Sequence, residues 1–332
     1  MQPEQQRQLA ERYRRDLLED TLPFWIEHAV DETHGGFFTS LDRRGNVIDT
    51  DKSVWFQGRF TWLLATLYNT VEERPEWLEL ARNGVRFLQS HCFDGDGRMR
   101  FLVTRDGRRL RRRRYAFSEA FAAIGFAAVA YATEDDELAA AANETFDTFR
   151  RVMLDGDIEP KTDPETRPAK AIGPPMIALN VAQTLRSTVG GPALDTFIDS
   201  LIATIRDDFV KPSHEAVLEV VAPDGSIIDH AAERTLNPGH AIEAAWFVLE
   251  ESRYRGGDAE LTQLGCTILD WMWKRGWDET HGGLFAFTSL DGEPMLEPGH
   301  DLKYWWPHCE AIIATLLAWE MTGEAKYAEW FA

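Results

Sequence analysis

Apolar residues recur at three- and four-residue spacing along nearly the whole chain, the period of helices that bury one face. Two kinds of segment alternate. Residues 4–28, 75–92, 136–153, 192–209 and 257–276 are mixed and charged, and read as helices with one wet face. Residues 53–71, 115–133, 171–187, 240–254 and 306–322 are richer in Ala, Leu, Ile and aromatics. FSEAFAAIGFAAVAYA at 117–132 is apolar almost all round apart from Ser118 and Glu119, so it has to be buried on most sides. The links from wet to dry helices carry strand signals. GGFFTSLDRRGNVID (35–49), MRFLVTRDGRRL (99–110), AVLEVVAPDGSIID (216–229) and GGLFAFTSLDGEPML (282–296) run by short alternation into a turn and out again, the pattern of β-hairpins. The link at 155–175 is Pro-rich and reads as an irregular loop.

Wet and dry helices in pairs of roughly 60 residues predict an all-α fold, an (α/α)6 toroid or barrel. The dry helices form the inner ring, and the short β-hairpins between outer and inner helices gather at one rim. Five pairs are visible, and EAKYAEWFA at 324–332 only begins a sixth. The expectation is a single α/α-barrel domain over 1–332 with its C-terminal end missing. Apolar faces of the helices at 53–71 and 306–322 should then be exposed.

An internal repeat sharpens this picture. DETHGGFF (31–38) followed by KSVWFQGRFTWLLATL (52–67) returns about 250 residues later as DETHGGLF (278–285) and KYWWPHCEAIIATLL (303–317). Lys52 matches Lys303 and Trp55 matches Trp306, while Gln57 and Arg59 give way to His308 and Glu310. A constant frame with varied polar contents suits a repeated scaffold around a central site.

Composition changes the picture in a few places. A net charge of −20 argues against nucleic acid or an anionic membrane as partner. The exception is GRRLRRRRY at 107–115, six Arg that read as a solvated hairpin or loop or, alternatively, as a local anion site or a contact with an acidic neighbouring subunit. The three cysteines form no CxxC pattern. The N-terminus lacks the apolar core of a signal peptide, and no apolar run approaches the length of a membrane span. A cytoplasmic protein is expected. No phosphate-binding or dinucleotide-binding glycine motif and no HExxH ligand set occurs, so neither cofactor nor metal is expected.

The candidate chemistry lies where the inner helices begin. In RTLNPGHAIEAAWFVLEE (234–251), His240 and Glu243 sit three apart on one face of a helix that opens with an Asn-Pro-Gly turn. A His there can exchange a proton near neutral pH, or it can simply cap the helix. KYWWPHCEA adds Trp306, His308 and Glu310. WFQGRFTW adds Arg59, whose planar fork can hold a carbonyl or hydroxyl oxygen. Tyr115 and Glu119 occupy the same phase of the second inner helix, and Asn180 that of the third.

These motifs, DKSVWFQGRFTW, RTLNPGHAIEAAWFVLEE, DLKYWWPHCEAIIATLL and HGGFF with LDRRG, together resemble the N-acylglucosamine 2-epimerase family. That family includes the N-acetylglucosamine/N-acetylmannosamine epimerases, cellobiose 2-epimerase, and mannose and sulfoquinovose isomerases. The resemblance runs from about residue 10 to the end and implies an (α/α)6 barrel. It implies that His240 is one of two general acid/base residues, supported by Glu243 and Glu310. It also implies that Arg59 contacts the substrate oxygen near C1, that Trp306 stacks on the sugar and that Tyr115 lines the pocket. Asn180 departs from the disaccharide epimerases, which carry His there, and matches the N-acylglucosamine version. The family's second catalytic His belongs to a motif similar to KGxxHxPR, before which the sequence ends. The implied reaction is inversion of C2 of an N-acyl-hexosamine through an enolate, without cofactor or metal, in a possible homodimer. Aldose–ketose isomerisation through the same enediol is the alternative. A glycoside hydrolase using Glu243 and Glu310, or a non-catalytic sugar-binding protein, stands as the reading from another class.

Overall fold

The computed structural model describes residues 3–112, 115–159, 163–191 and 193–332. Arg113 and Arg114 of the Arg-rich run, and residues 160–162 of the Pro-rich link, lie outside the described residues. The chain packs as two compact units. One takes Met1–Glu159 with Val181–Leu194, and the other takes Pro160–Asn180 with Asp195–Ala332.

The first unit begins with α1 (Pro3–Arg15), a wide π-helical turn (Asp16–Thr21) and α2 (Leu22–Ala29). Then come α3 (Val54–Thr70), α4 (Pro75–His91), α5 (Phe117–Thr133) and α6 (Asp136–Met153). These follow the segments predicted from apolar spacing to within a few residues. Their ends have local causes. Pro75 opens α4, where its missing N–H costs nothing. Asp135 caps α6 by accepting from Leu138 N. Every residue of α5 from Ser118 to Ala130 is buried, as its all-round apolar pattern requires, and α5 packs against α3 and α6.

Helix α7 (Gly173–Ser187) enters both units. The second unit continues with α8 (Leu194–Thr204), a π-helical turn (Ile205–Phe209), α9 (Pro238–Tyr254), α10 (Ala259–Gly276), α11 (Trp305–Thr322) and α12 (Ala325–Phe331). Helix α9 packs against α10 and α11. The short α12 rests on α10 through Trp330, which stacks on Trp273 at 4.6 Å, and through Lys326 bound to Asp270 at 2.7 Å. On α11, Ile312 and Ile313 are 37% and 39% exposed, and Phe56 on α3 is 50% exposed.

The links form small antiparallel pieces of sheet. In the first unit β1 (Ser40–Leu41) pairs with β2 (Val47–Asp49), and β3 (Lys52–Ser53), β4 (Arg100–Val103) and β5 (Arg109–Arg112) form a three-stranded sheet. These two links are hairpins, as predicted. The two links predicted as hairpins in the second unit, 216–229 and 282–296, do not pair within themselves. Strand β6 (Lys170–Ala171) pairs with β9 (Val220–Val221), β7 (Val210–Lys211) with β8 (Ala216–Val217), and β10 (Thr235–Leu236) with β11 (Thr288–Ser289). The turn expected at Asp224-Gly225 exists, closed by Ala222 and Ser226. Its outgoing limb is no strand, because β9 already has its partner in β6. Alternation identifies a strand without identifying what it pairs with.

The two repeats share one device. Asp31 accepts from Thr33 N and His34 N, closing the turn that leads into Gly35-Gly36, both at positive φ. Its carboxylate also takes Lys52 at 2.9 Å and both nitrogens of the Arg105 fork. Lys52 is wholly buried, and its three protons go to Asp31, Gly35 O and Arg105 O. In the second copy Asp278 accepts from Thr280 N and His281 N, and Lys303 reaches Asp278 and Gly282 O. That pair is partly exposed, with the Lys303 side chain 27% accessible.

Burial alone would raise the Asp31 pKa, yet Arg105 and Lys52 hold it well below the usual carboxylate range. Lys303 brings Asp278 down to about 2. A carboxylate depressed in the folded state stabilises above its unfolded pKa. For Asp278 that contribution is present above about pH 4 and is lost as pH falls through about 2.

Removing Lys52 leaves a buried carboxylate short of one partner. Lys52→Met is expected to cost about 3 kcal/mol, and Lys303→Met distinctly less, because water reaches the second pair. Urea denaturation of both variants checks this, and equal losses would refute the ranking.

Candidate active site

In the second unit the site is built at the start of α9. Asn237 caps the helix, its Oδ1 accepting from His240 N at 3.1 Å. Pro238 takes the first helical position and Gly239 the next. This places His240 in the first turn, with its side chain one-third exposed. Its Nδ1 lies 3.0 Å from both carboxylate oxygens of Glu219, in the short link between β8 and β9. The imidazole also lies beside Trp306, ring centroids 5.3 Å apart.

That approach depends on Gly239. A Cβ there would meet Trp306 carbons at 2.5 and 2.7 Å and Pro307 at 3.0 Å. One turn further along α11, Glu310 accepts from Trp246 Nε1 at 2.7 Å. Glu243 follows His240 by one turn of α9 and is half-buried. Burial works against a charged imidazole, but Glu219, with smaller contributions from Glu243 and Glu310, outweighs it and raises the His240 pKa above its ordinary value. The result is a half-exposed imidazole able to hold or release a proton near neutrality. Asn180, on α7, is also half-buried.

In the first unit Arg59 lies with its guanidinium carbon 4.2 Å from the Phe121 ring centre and 5.2 Å from that of Trp55. Those two rings stack on each other at 5.0 Å. Such contacts orient the planar fork. Tyr115 is half-buried beside Phe117.

Two residues expected in substrate binding are placed otherwise. Glu119 is fully buried, and its Oε1 accepts from Met99 N at 2.9 Å and Arg98 Nε at 2.8 Å. Through that oxygen it ties the second link to α5. His308 donates from Nδ1 to Tyr304 O at 2.6 Å and accepts at Nε2 from Leu284 N at 2.9 Å. Both ring nitrogens are engaged by backbone. It does for the second Gly-Gly segment what Gln57 does for the first, where Gln57 holds Phe37 N and Phe37 O at 2.8 and 2.7 Å.

Glu219 was not singled out by the sequence, although one signal pointed to it. It is the lone acid in the apolar run AVLEVVA. Among the described residues no three His, Cys, Asp or Glu side chains gather as a metal-binding group, and no helix is long and apolar enough to cross a membrane.

The profile of the N-acylglucosamine 2-epimerase (GlcNAc 2-epimerase) family matches residues 36–332. The chain belongs to the N-acylglucosamine 2-epimerase family. It is 34% identical over 322 residues to the N-acylglucosamine 2-epimerase of Bos taurus, covering 92% of this chain and 74% of that protein. Its fold is similar to that of cellobiose 2-epimerase from Bacillus thermoamylovorans, with a TM-score of 0.84 at 19% identity over 98% of this chain and 85% of that one. It is also similar to a D-mannose isomerase, with a TM-score of 0.78 at 18% identity over 94% and 82% of the two chains. The helical fold class read from the periodicity is thus the fold of this epimerase family.

Within this family member, Gly239 leaves no room for a Cβ against Trp306 of α11, next to His240. Gly239→Ala is expected to displace the Trp306 ring, leaving the helical circular dichroism spectrum intact while sugar turnover falls about tenfold or more. Unchanged turnover would show that the Trp306 position does not matter to the site.

Proposed function

We propose that the chain inverts C2 of an N-acyl-hexosamine, of the N-acetylglucosamine/N-acetylmannosamine type, with His240 as an acid/base residue. The observation that carries this reading is the half-exposed His240 imidazole, fixed by Glu219 and flanked by Trp306. It lies in a chain one-third identical to proteins named for that reaction. In the open-chain sugar the C2 proton is acidified by the neighbouring aldehyde. His240 takes that proton. The C2–H electron pair moves into the C1–C2 bond, and the carbonyl π pair moves onto the C1 oxygen to give an enolate. Protonation of C2 from the other face restores the aldehyde with inverted configuration. Arg59 is proposed as the cation that stabilises the C1 oxygen as charge develops there. Glu243 and Glu310 support the imidazole and bind hydroxyls, with Trp306 against the sugar face and Tyr115 and Asn180 as further contacts.

Incubation with N-acetylmannosamine in deuterated water tests this directly. Wash-in of deuterium at C2 requires only proton removal and return. The parent chain is expected to exchange, and His240→Asn to lose roughly 10²–10⁴ of the rate. Arg59→Lys is expected to be nearly as harmful as Arg59→Ala, since lysine cannot reproduce the fork. Repeating the incubation with mannose, which carries a hydroxyl at C2, tests the alternative: deuterium appearing in a ketose product would point to aldose–ketose isomerisation instead. Exchange at the parent rate in folded His240→Asn would overturn the assignment of the base.

A further inference from the structure

We propose that Glu219 is the positioning residue of His240, fixing the imidazole proton on Nδ1 so that Nε2 is the nitrogen that exchanges the substrate's C2 proton. This rests on the assignment of His240 as the acid/base residue.

The geometry is specific. Glu219 stands between β8 and β9, where the backbone is held on both sides. Its carbonyl accepts from Ile172 N at 3.0 Å, Leu218 N donates to Phe209 O at 3.0 Å, and Val220 is in register with Ala171. Leu218 and Val221 on either side are wholly buried. The carboxylate therefore projects from a fixed base, and both its oxygens lie 3.0 Å from one imidazole nitrogen. An ionised carboxylate only accepts, so this contact requires a proton on Nδ1.

A competing contact makes the carboxylate decisive. Asn237 Nδ2 also lies 3.0 Å from Nδ1, while the Asn237 oxygen is occupied by His240 N. An amide nitrogen only donates, so that contact favours the opposite tautomer, with Nδ1 bare and the proton on Nε2. A charge-assisted bond is roughly twice as strong as a neutral one, so Glu219 wins. Without it, Asn237 would turn the imidazole into its unproductive form.

The charges that bear on the ring are Glu219 from the β8–β9 link, Glu243 from α9 and Glu310 from α11. Glu219 lies within hydrogen-bond distance of it, through both carboxylate oxygens. The sign of the pH effect follows. His240 must be neutral to take a proton, so exchange rises with pH through its folded pKa. Removing the Glu219 charge lowers that pKa and moves the acid limb to lower pH.

Two variants separate charge from tautomer. In Glu219→Gln the side-chain oxygen can still accept from Nδ1–H. The C2 exchange rate should fall modestly, with its acid limb displaced downward by about one pH unit. In Glu219→Ala, Asn237 becomes the best partner. The rate should fall by roughly 10²–10⁴ with KM little changed, since the base is then protonated on Nε2. Nitrogen NMR of ¹⁵N-histidine-labelled protein, with His240 assigned by its loss in His240→Asn, reads the tautomer without any turnover. The parent should show Nδ1 protonated and Glu219→Ala Nε2 protonated. If Glu219→Ala does not fold, the His240 titration in Glu219→Gln decides alone. An unmoved His240 pKa in Glu219→Gln, or the parent tautomer in folded Glu219→Ala, would overturn the proposal while leaving His240 as the base. Exchange persisting in His240→Asn would instead overturn the reading beneath it.

Discussion

A buried ammonium under a tight turn is the constraint from which the ordered links follow. Lys52 has no access to water, so each of its protons must find an acceptor, and the acceptors are Asp31, Gly35 O and Arg105 O. These three come from two different links and are drawn to one point. Without the lysine the Asp31 carboxylate would have only Arg105 and the turn amides. Without Asp31 the lysine would be an uncompensated buried charge. The pair fixes where the chain enters α3, and hence the first two turns of that helix, where Trp55 and then Arg59 sit. Asp278 and Lys303 repeat the arrangement ahead of α11, where Trp306 and Glu310 take the same places.

The second unit adds a different kind of constraint at α9. There the helix start is set by Asn237 and Pro238, and its closeness to α11 by the missing side chain of Gly239. These backbone features bring an imidazole against an indole and leave one edge of the imidazole for a carboxylate. The charge on Glu219 then acts on a ring whose position is already decided. Placement comes from capping and close packing, and proton affinity comes from electrostatics. That division lets a half-exposed histidine be held firmly without being buried.

Much of this was legible in the sequence for a simple reason. A helix buries a face at a period that one strand of sequence displays, so the helices α3 to α11 could be outlined from apolar spacing alone. The all-apolar stretch around Phe121 and Phe126 announced its burial in α5. Strand pairing was less legible, because Val220 and Thr288 carry no mark of which neighbouring link will satisfy their backbone. The site was legible where a motif has local geometry, as at Asn237–His240. It was obscure where the partner is distant, as with Glu219, 21 residues before the histidine it holds. Glu119 and His308 misled for a related reason. Their residue types suit ligand binding, and nothing local shows that Met99 N, Tyr304 O and Leu284 N have already claimed them.

The repeat itself explains how scaffold and chemistry coexist on one helix turn. Positions 57 and 308 clamp the backbone of the Gly-Gly segment in both copies, through an amide in one and an imidazole in the other. Positions 59 and 310 lie two residues on, about 200° around the helix, and so on nearly the opposite side. They share a face with positions 55 and 306, one turn earlier, and both copies place a Trp there. Arg59 lies against Trp55 in the first copy, and Glu310 stands one turn beyond Trp306 in the second. The clamp face can therefore stay constant in purpose while the Trp face carries a cation in one copy and an acid in the other. A repeat built this way can change the charge it presents without disturbing the turn that holds it. Hence the two copies keep Asp, Gly-Gly, Lys and Trp in common, and differ where a polar group on the Trp face is free to vary.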